Sequence, residues 1–417
     1  MIAMIDWWRE APRDARRALI AAALGWMLDA FDVMLYALVL VPLMADLGID
    51  KAMGGQLGSL ALLSAAGGGM LFGVVADRYG RTRALMGSIL LYSIFTALCG
   101  LAQSALQLAV FRVGLGLGMG GEWASGATLV SETWPSKHRG KALGLMQSSW
   151  AIGYAAAYLA SWLVMPVWGW RGVFLIGVLP ALFTLWVRRY VKEPEIWSAS
   201  RQRPTIRRSR VRLIFARAWR TQTLALTFMN ACTMFAWWGF NLWIPAYLML
   251  PRAESGVGLD PNAVLRLGLV MQAGMWFGYV TFGFFADALG RRRTYVGYLL
   301  AAALFMFLYT TTDAPLLLLV LGPFVAFFGT GHFSGFGAVS AEIYPTDIRG
   351  TAQGFTYNIG RVASALAPTL VGSLAQTRGF GVAFLLAAGA FGLAAISWVW
   401  IPETQGKELE MTTDVVR

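Results

Sequence analysis

Runs of roughly 20 mostly apolar residues constrain this chain more than any other feature, because a helix of that length crosses the hydrocarbon core of a bilayer. Twelve occur, near residues 18–43, 54–76, 84–103, 105–131, 141–165, 171–190, 221–250, 264–286, 294–312, 314–341, 351–375 and 380–402. Within lipid, backbone N–H and C=O groups must pair inside their own segment, which leaves the helix as the form each run takes. An all-α membrane protein with twelve transmembrane helices is expected. Of the 417 residues 57% are apolar and 13% charged, against about 25% charged in soluble domains, so a soluble enzyme is excluded.

Basic residues set the orientation. Placing both termini in the cytoplasm puts 27 of the 34 Lys and Arg on that side and leaves 5 on the other, with Arg112 and Arg361 inside spans. The expected organisation is a cytoplasmic lead over 1–17, a six-helix bundle over 18–190, a basic linker over 191–220, a second bundle over 221–402 and a tail over 403–417. The linker holds much of the +12 net charge. With no aromatic-rich module beside it, it reads as a topology signal touching anionic membrane lipid and not as a nucleic-acid site. Residues 1–17 lack the apolar core of a secretory signal. Cys99 and Cys232 fall inside apolar runs, as small buried hydrophobes do, and no metal-ligand spacing or catalytic triad stands out.

The halves repeat. "GVVADRYGRTRA" from Gly73 matches "GFFADALGRRRT" from Gly283, and "SETWPSKHRG" from Ser131 matches "AEIYPTDIRG" from Ala341, both at an offset of 210 residues. Two charged loop motifs agreeing at one offset mark a duplication, each half a six-helix bundle in the same orientation. The layout, the long basic loop after span six and these motifs resemble the major facilitator superfamily, whose hallmark "GxxxDRxGR" stands at Gly73–Arg81, with a partial copy at Gly283–Arg291 in which Ala288 replaces the first Arg. "FRVGLGLGMGGEWASG", "YPTDIRGTAQGFTYNIGR" and "PETQGKELE" are similar to its proton-coupled carboxylate symporters, in particular the sialate and lactate branch, with part of the pattern shared by aromatic-acid and metabolite branches. The resemblance implies two pseudo-symmetric six-helix bundles working by alternating access, as a monomer in the inner (plasma) membrane.

Chemistry is expected at charged residues within spans. An ionised Asp at the centre of a membrane helix costs about 2.5–3.5 kcal/mol on insertion scales, yet Asp29 and Asp32 sit in the first run, three apart and on nearly one helix face. Either they carry the coupling proton, or they pair with Arg112 or Arg361. An intramembrane aspartyl protease is set aside, because its two acids converge from different segments. Arg361, ten residues into span eleven, and Arg112, in span four, present forks suited to a carboxylate; a structural ion pair or helix-packing role is the alternative for each. Glu122 and His332 share one repeat position in spans four and ten, which line the central cavity in the superfamily. Glu122 is a further proton carrier, and His332 either relays protons and meets substrate or is a hydrogen-bonded structural residue. Gln147, Asn241, Gln272, Tyr357 and Asn358 supply a modest polar substrate site, or interhelical contacts.

The loop charges have another task. Asp77, Arg78, Arg81, Glu132 and Arg139, with Asp287, Arg291, Glu342 and Arg349 in the second half, are expected to form networks between helix ends that close the inner gate. The function expected is proton-coupled uptake of a small organic carboxylate, with the proton as coupling ion and no other cofactor. A proton-driven exporter of drugs or metabolites, or a transporter-like solute sensor, are the alternatives.

Overall fold

The computed structural model describes residues 6–134, 138–192 and 211–406. It is all-helical, and the chain divides into two compact units, Met1–Pro204 and Thr205–Arg417. In the first unit the main helices are α1 (Arg13–Leu47), α2 (Lys51–Tyr79), α3 (Arg81–Cys99), α4 (Ala105–Thr133), α5 (Arg139–Leu175) and α6 (Pro180–Tyr190). In the second they are α7 (Arg220–Met249), α8 (Pro261–Leu289), α9 (Arg291–Thr310), α10 (Pro315–Gly331), α11 (Phe336–Ile343), α12 (Thr346–Ser364), α13 (Ala367–Arg378) and α14 (Phe380–Ile396).

Side chains that satisfy the first free N–H groups start several helices: Asp50 accepts from Met53 N at 2.8 Å, Ser104 from Gln107 N at 3.3 Å, and Asp260 from Asn262 N and Ala263 N. The repeated loop motif owes its glycine to geometry. Gly80 and Gly290 turn the chain between paired helices with φ of 119° and 96°, which other residues rarely adopt. Gly169, with φ 61°, breaks α5 so that the stretch Gly140–Tyr190 folds as two spans. Spans ten and eleven are also broken, the first at His332–Ser334 and the second before Ala367, where Pro368 restarts the helix.

Eight helical stretches among the described residues are long and apolar enough to cross a membrane on composition alone. Outside that set fall α4, α7 and the pair α12–α13. These three carry Arg112 with Glu122, Asn230 with Asn241, and Tyr357 with Arg361; buried polar groups also occur within the apolar set, as Asp29 and Asp32 on α1 and Gln272 on α8.

Both units use the same pairing. In the first, α2 packs on α4 and α1 on α5; in the second, α8 packs on α10 and α7 on α12, the repeat-related pairs. Close approach of α2 to α4 depends on missing side chains. A Cβ on Gly120 would overlap the Ala65 carbonyl oxygen, and one on Gly116 the Ala61 carbonyl oxygen.

Candidate functional site

In the first unit, Gly25, Asp29, Asp32 and Tyr36 recur at i, i+4, i+7 and i+11 on α1 and so form one stripe. Helix α4 runs antiparallel beside it. Glu122 lies against Gly25, close enough that a Cβ there would stand 2.5 Å from its Oε1. Arg112, ten residues earlier on α4, lies at the other end with its guanidinium carbon 3.6 Å from the centroid of the Tyr36 ring. Asp29 and Asp32 therefore sit between an acid and a base, and all four charged side chains are buried.

Arg112 forms no ion pair with either aspartate. Its Nε donates to the Leu57 carbonyl at 2.8 Å, while the Tyr36 hydroxyl donates to the Gly54 carbonyl at 2.7 Å. These bonds tie α1 and α4 to α2 and describe a positioning group. Asp32 Oδ2 is 3.1 Å from the Thr96 hydroxyl, which is also 2.8 Å from the Tyr92 carbonyl. A hydroxyl has one proton and two acceptor lone pairs. It can donate to a charged Asp32, or accept from a protonated Asp32 while donating to Tyr92. Thr96 thus serves Oδ2 in both states of the carboxyl without moving, while Oδ1 is buried with no hydrogen-bond partner among the described residues. Gly177 makes room for it, since a Cβ there would overlap Thr96 and stand 3.2 Å from Asp32 Oδ1.

In the second unit, Arg361 is buried to 4% exposure and forms no ion pair or hydrogen bond through its side chain among the described residues. Tyr357, one turn earlier, places its ring centroid 6.0 Å from the guanidinium carbon. Asn230 on α7 packs against Gly360; it is buried and its Nδ2 has no hydrogen-bond partner among the described residues. Asn241 is buried on the same helix, and Asn358 turns its amide to its own helix, donating to the Gly354 carbonyl at 2.8 Å. Gln272 on α8 is buried, its Oε1 without a partner among the described residues, and Gln147 on α5 is half-buried. His332 lies in the break of span ten. Its carbonyl accepts from the Tyr295 hydroxyl at 2.8 Å, and its Nε2 has no hydrogen-bond partner among the described residues.

The loop motif of the second unit holds a closed network despite Ala288. Arg291 forks onto Glu342, NH2 to Oε1 at 3.0 Å and Nε to Oε2 at 3.3 Å, and also pairs with Asp287. Thr404 donates to Glu342 Oε2. Glu403 accepts from the backbone N–H groups of Arg291, Arg292, Thr404 and Gln405 at 2.9–3.0 Å, capping α9. Partial burial pushes the Glu403 carboxyl up, but these backbone donors outweigh it and hold it below its ordinary range. Arg349 donates to the Tyr344 carbonyl at 3.1 Å. In the first unit Arg78 is exposed beside Tyr79 and Arg81 is half-buried; the side chains of Asp77, Glu132 and Arg139 lie outside the described residues.

Four groups escape a search for charges in apolar runs: Thr96, Tyr36, Asn230 and Glu403. The i, i+4, i+7, i+11 stripe on α1 would have found Tyr36. Thr96 and Asn230 have no local signal, because their significance is a neighbour on another helix.

The sequence profile of the Major Facilitator Superfamily matches residues 22–278 and 250–415. A putative metabolite transport protein of Haemophilus influenzae is 34% identical over 94% of this chain and 98% of its own. The cis,cis-muconate transport protein of Acinetobacter baylyi is 34% identical over 91% of this chain and 92% of its own. A sialic acid transporter of Escherichia coli is 30% identical over 94% and 95%. Among solved structures, a D-xylose-proton symporter superposes with a TM-score of 0.75 at 19% identity, covering 94% of this chain and 99% of that one, a likeness of fold.

Proposed function

Because this chain belongs to the Major Facilitator Superfamily, and is therefore a multi-pass membrane transporter and not an enzyme, we propose that it couples proton entry to uptake of a small organic carboxylate by alternating access. Its proposed place is the inner (plasma) membrane with both termini cytoplasmic, and its working form a monomer. Two relatives bear on the substrate, one named for cis,cis-muconate and one for sialic acid.

The observation that carries the proposal is Arg361. A buried guanidinium with no carboxylate partner is costly by several kcal/mol, and a carboxylate substrate offsets that cost through two parallel charge-assisted hydrogen bonds. Tyr357 offers one wall of such a site, and the Asn230 amide lies at the same level of α12. The Asp29/Asp32 pair is the proton carrier, with Glu122 in the same stripe. Thr96 lets Asp32 gain and lose its proton at fixed geometry. Arg112, already engaged by Leu57 and Tyr36, holds the stripe in place. The Arg291–Glu342–Asp287 network, with its tail residues Glu403 and Thr404, belongs to the inner gate.

Substrate-dependent proton uptake into proteoliposomes tests the coupling. Asp29→Asn with Asp32→Asn together should abolish it while leaving equilibrium binding of the acid measurable. Proton uptake that survives the double substitution defeats the assignment.

A further inference from the structure

One groove in the second unit has no part in the proposed transport. It is a groove of about 600 Å³ between α8, α9 and α10, within the range of roughly 300–1,000 Å³ typical of small-molecule sites. Its lining is almost wholly apolar. Phe277, Phe285, Leu289 and Phe324 line it and remain exposed, and Gly297 forms part of its floor with nothing within 4 Å of where a Cβ would stand. Along α8 the lining runs from Gly274 to Leu289, roughly 22 Å at 1.5 Å per residue. That exceeds half of a hydrocarbon core about 30 Å thick, so the groove accommodates an extended chain through one leaflet.

One charged residue lines it. Arg293, two residues into α9, is exposed and makes no ion pair or hydrogen bond through its side chain among the described residues. The nearby acids are committed elsewhere: Asp287 to Arg291, and Glu403 to four backbone N–H groups. Arg292, next to it, is likewise exposed. Among the described residues the groove is thus an apolar trough with an unmatched cation at the end where α8 passes into α9, the level of lipid headgroups.

We infer that this groove binds one anionic glycerophospholipid, its phosphate on Arg293 and an acyl chain along the aromatic lining. Charge complementarity selects the occupant: a zwitterionic lipid fills the trough equally well but leaves Arg293 without a net counter-charge. A basic residue at an anionic membrane surface is worth about fivefold in affinity. The site is independent of Arg361 and of the aspartate stripe, so its test does not depend on transport.

The test uses the full chain in neutral detergent, titrated with dioleoyl phosphatidylglycerol or dioleoyl phosphatidylcholine, with bound lipid counted by native mass spectrometry. One phosphatidylglycerol should be retained in clear preference to phosphatidylcholine. Arg293→Gln should weaken that retention about fivefold and erase the preference. Gly297→Phe, which enters open space and should fold, should displace the lipid with Arg293 intact. Equal retention of the two lipids, or undiminished phosphatidylglycerol binding in Arg293→Gln, overturns the inference. Should Gly297→Phe fail to fold, Arg293→Gln decides alone.

Discussion

Replacing Arg361 by Met separates a substrate site from a structural ion pair by the sign of its effect on stability. The guanidinium is 4% exposed, has no ion pair among the described residues, and is offered at most the Tyr357 ring at 6.0 Å, a cation–π contact of about 0.5–1 kcal/mol. Exchanging a buried charge that lacks a partner for an apolar side chain of similar length should stabilise the ligand-free protein by about 1–3 kcal/mol. At roughly 2–4 °C per kcal/mol for a unit of this size, the melting temperature should rise by several degrees. Binding of the carboxylate should move the other way. Removing one partner of a buried charged pair costs about 2–5 kcal/mol, and the middle of that range is on the order of a 300-fold rise in KM. Arg361→Lys keeps the charge but loses the fork, so roughly a tenfold rise is expected from one lost bond of about 1.4 kcal/mol. Thermal unfolding in detergent and uptake kinetics in proteoliposomes read the two effects. If Arg361→Met lowers the melting temperature by several degrees and leaves KM unchanged, Arg361 is a structural residue and the reasoning fails.

Further expectations follow from other contacts. Gly177→Ala would push a methyl group into Thr96 beside Asp32, so proton-coupled flux should fall at least tenfold with acid binding retained, as measured by isothermal titration against uptake. Gly120→Leu would wedge α2 from α4 at the Ala65 carbonyl; a loss of about 3 kcal/mol or more is expected, visible as poor yield and a lowered melting temperature. Glu403→Gln should cost about 1 kcal/mol at neutral pH, a modest figure because the carboxylate is exposed. Since backbone donors hold its folded pKa below the ordinary value, this stabilisation is present above the unfolded value of about 4.3 and is lost as pH falls through the folded pKa. The difference in melting temperature between wild type and variant should shrink over that acidic window and stay constant above it.

Much of the architecture is legible in the residues themselves. Apolar run length marks the spans, α4, α7 and the pair α12–α13 less clearly than the rest, and the 210-residue offset announces that α2·α4 and α8·α10 are equivalent pairs. Proline within a run is less legible. Pro368 lies inside the run read as continuous over 351–375, yet it restarts a helix there, because breaks inside a protein interior can be satisfied by neighbouring helices; Gly169 falls in the gap between the runs 141–165 and 171–190, so that break is legible. At the site, the aspartates are conspicuous because charge in an apolar run is costly. What they touch is not. Thr96 is an ordinary small polar residue in α3 until the fold sets it against Asp32, and Glu403 is one acid in a polar tail until its carboxylate meets the start of α9. Sequence flags the expensive groups, and the fold supplies what makes them tolerable.

Uptake of radiolabelled organic acids into proteoliposomes under an imposed inward proton gradient tests the central claim most directly. The panel would hold cis,cis-muconate, sialate, aromatic acids, short monocarboxylates and dicarboxylates, with neutral sugars as controls. The account predicts uptake of one carboxylate class, abolished by a protonophore and by Asp29→Asn with Asp32→Asn. Uptake of a neutral sugar alone, or carboxylate uptake indifferent to the proton gradient, would contradict it.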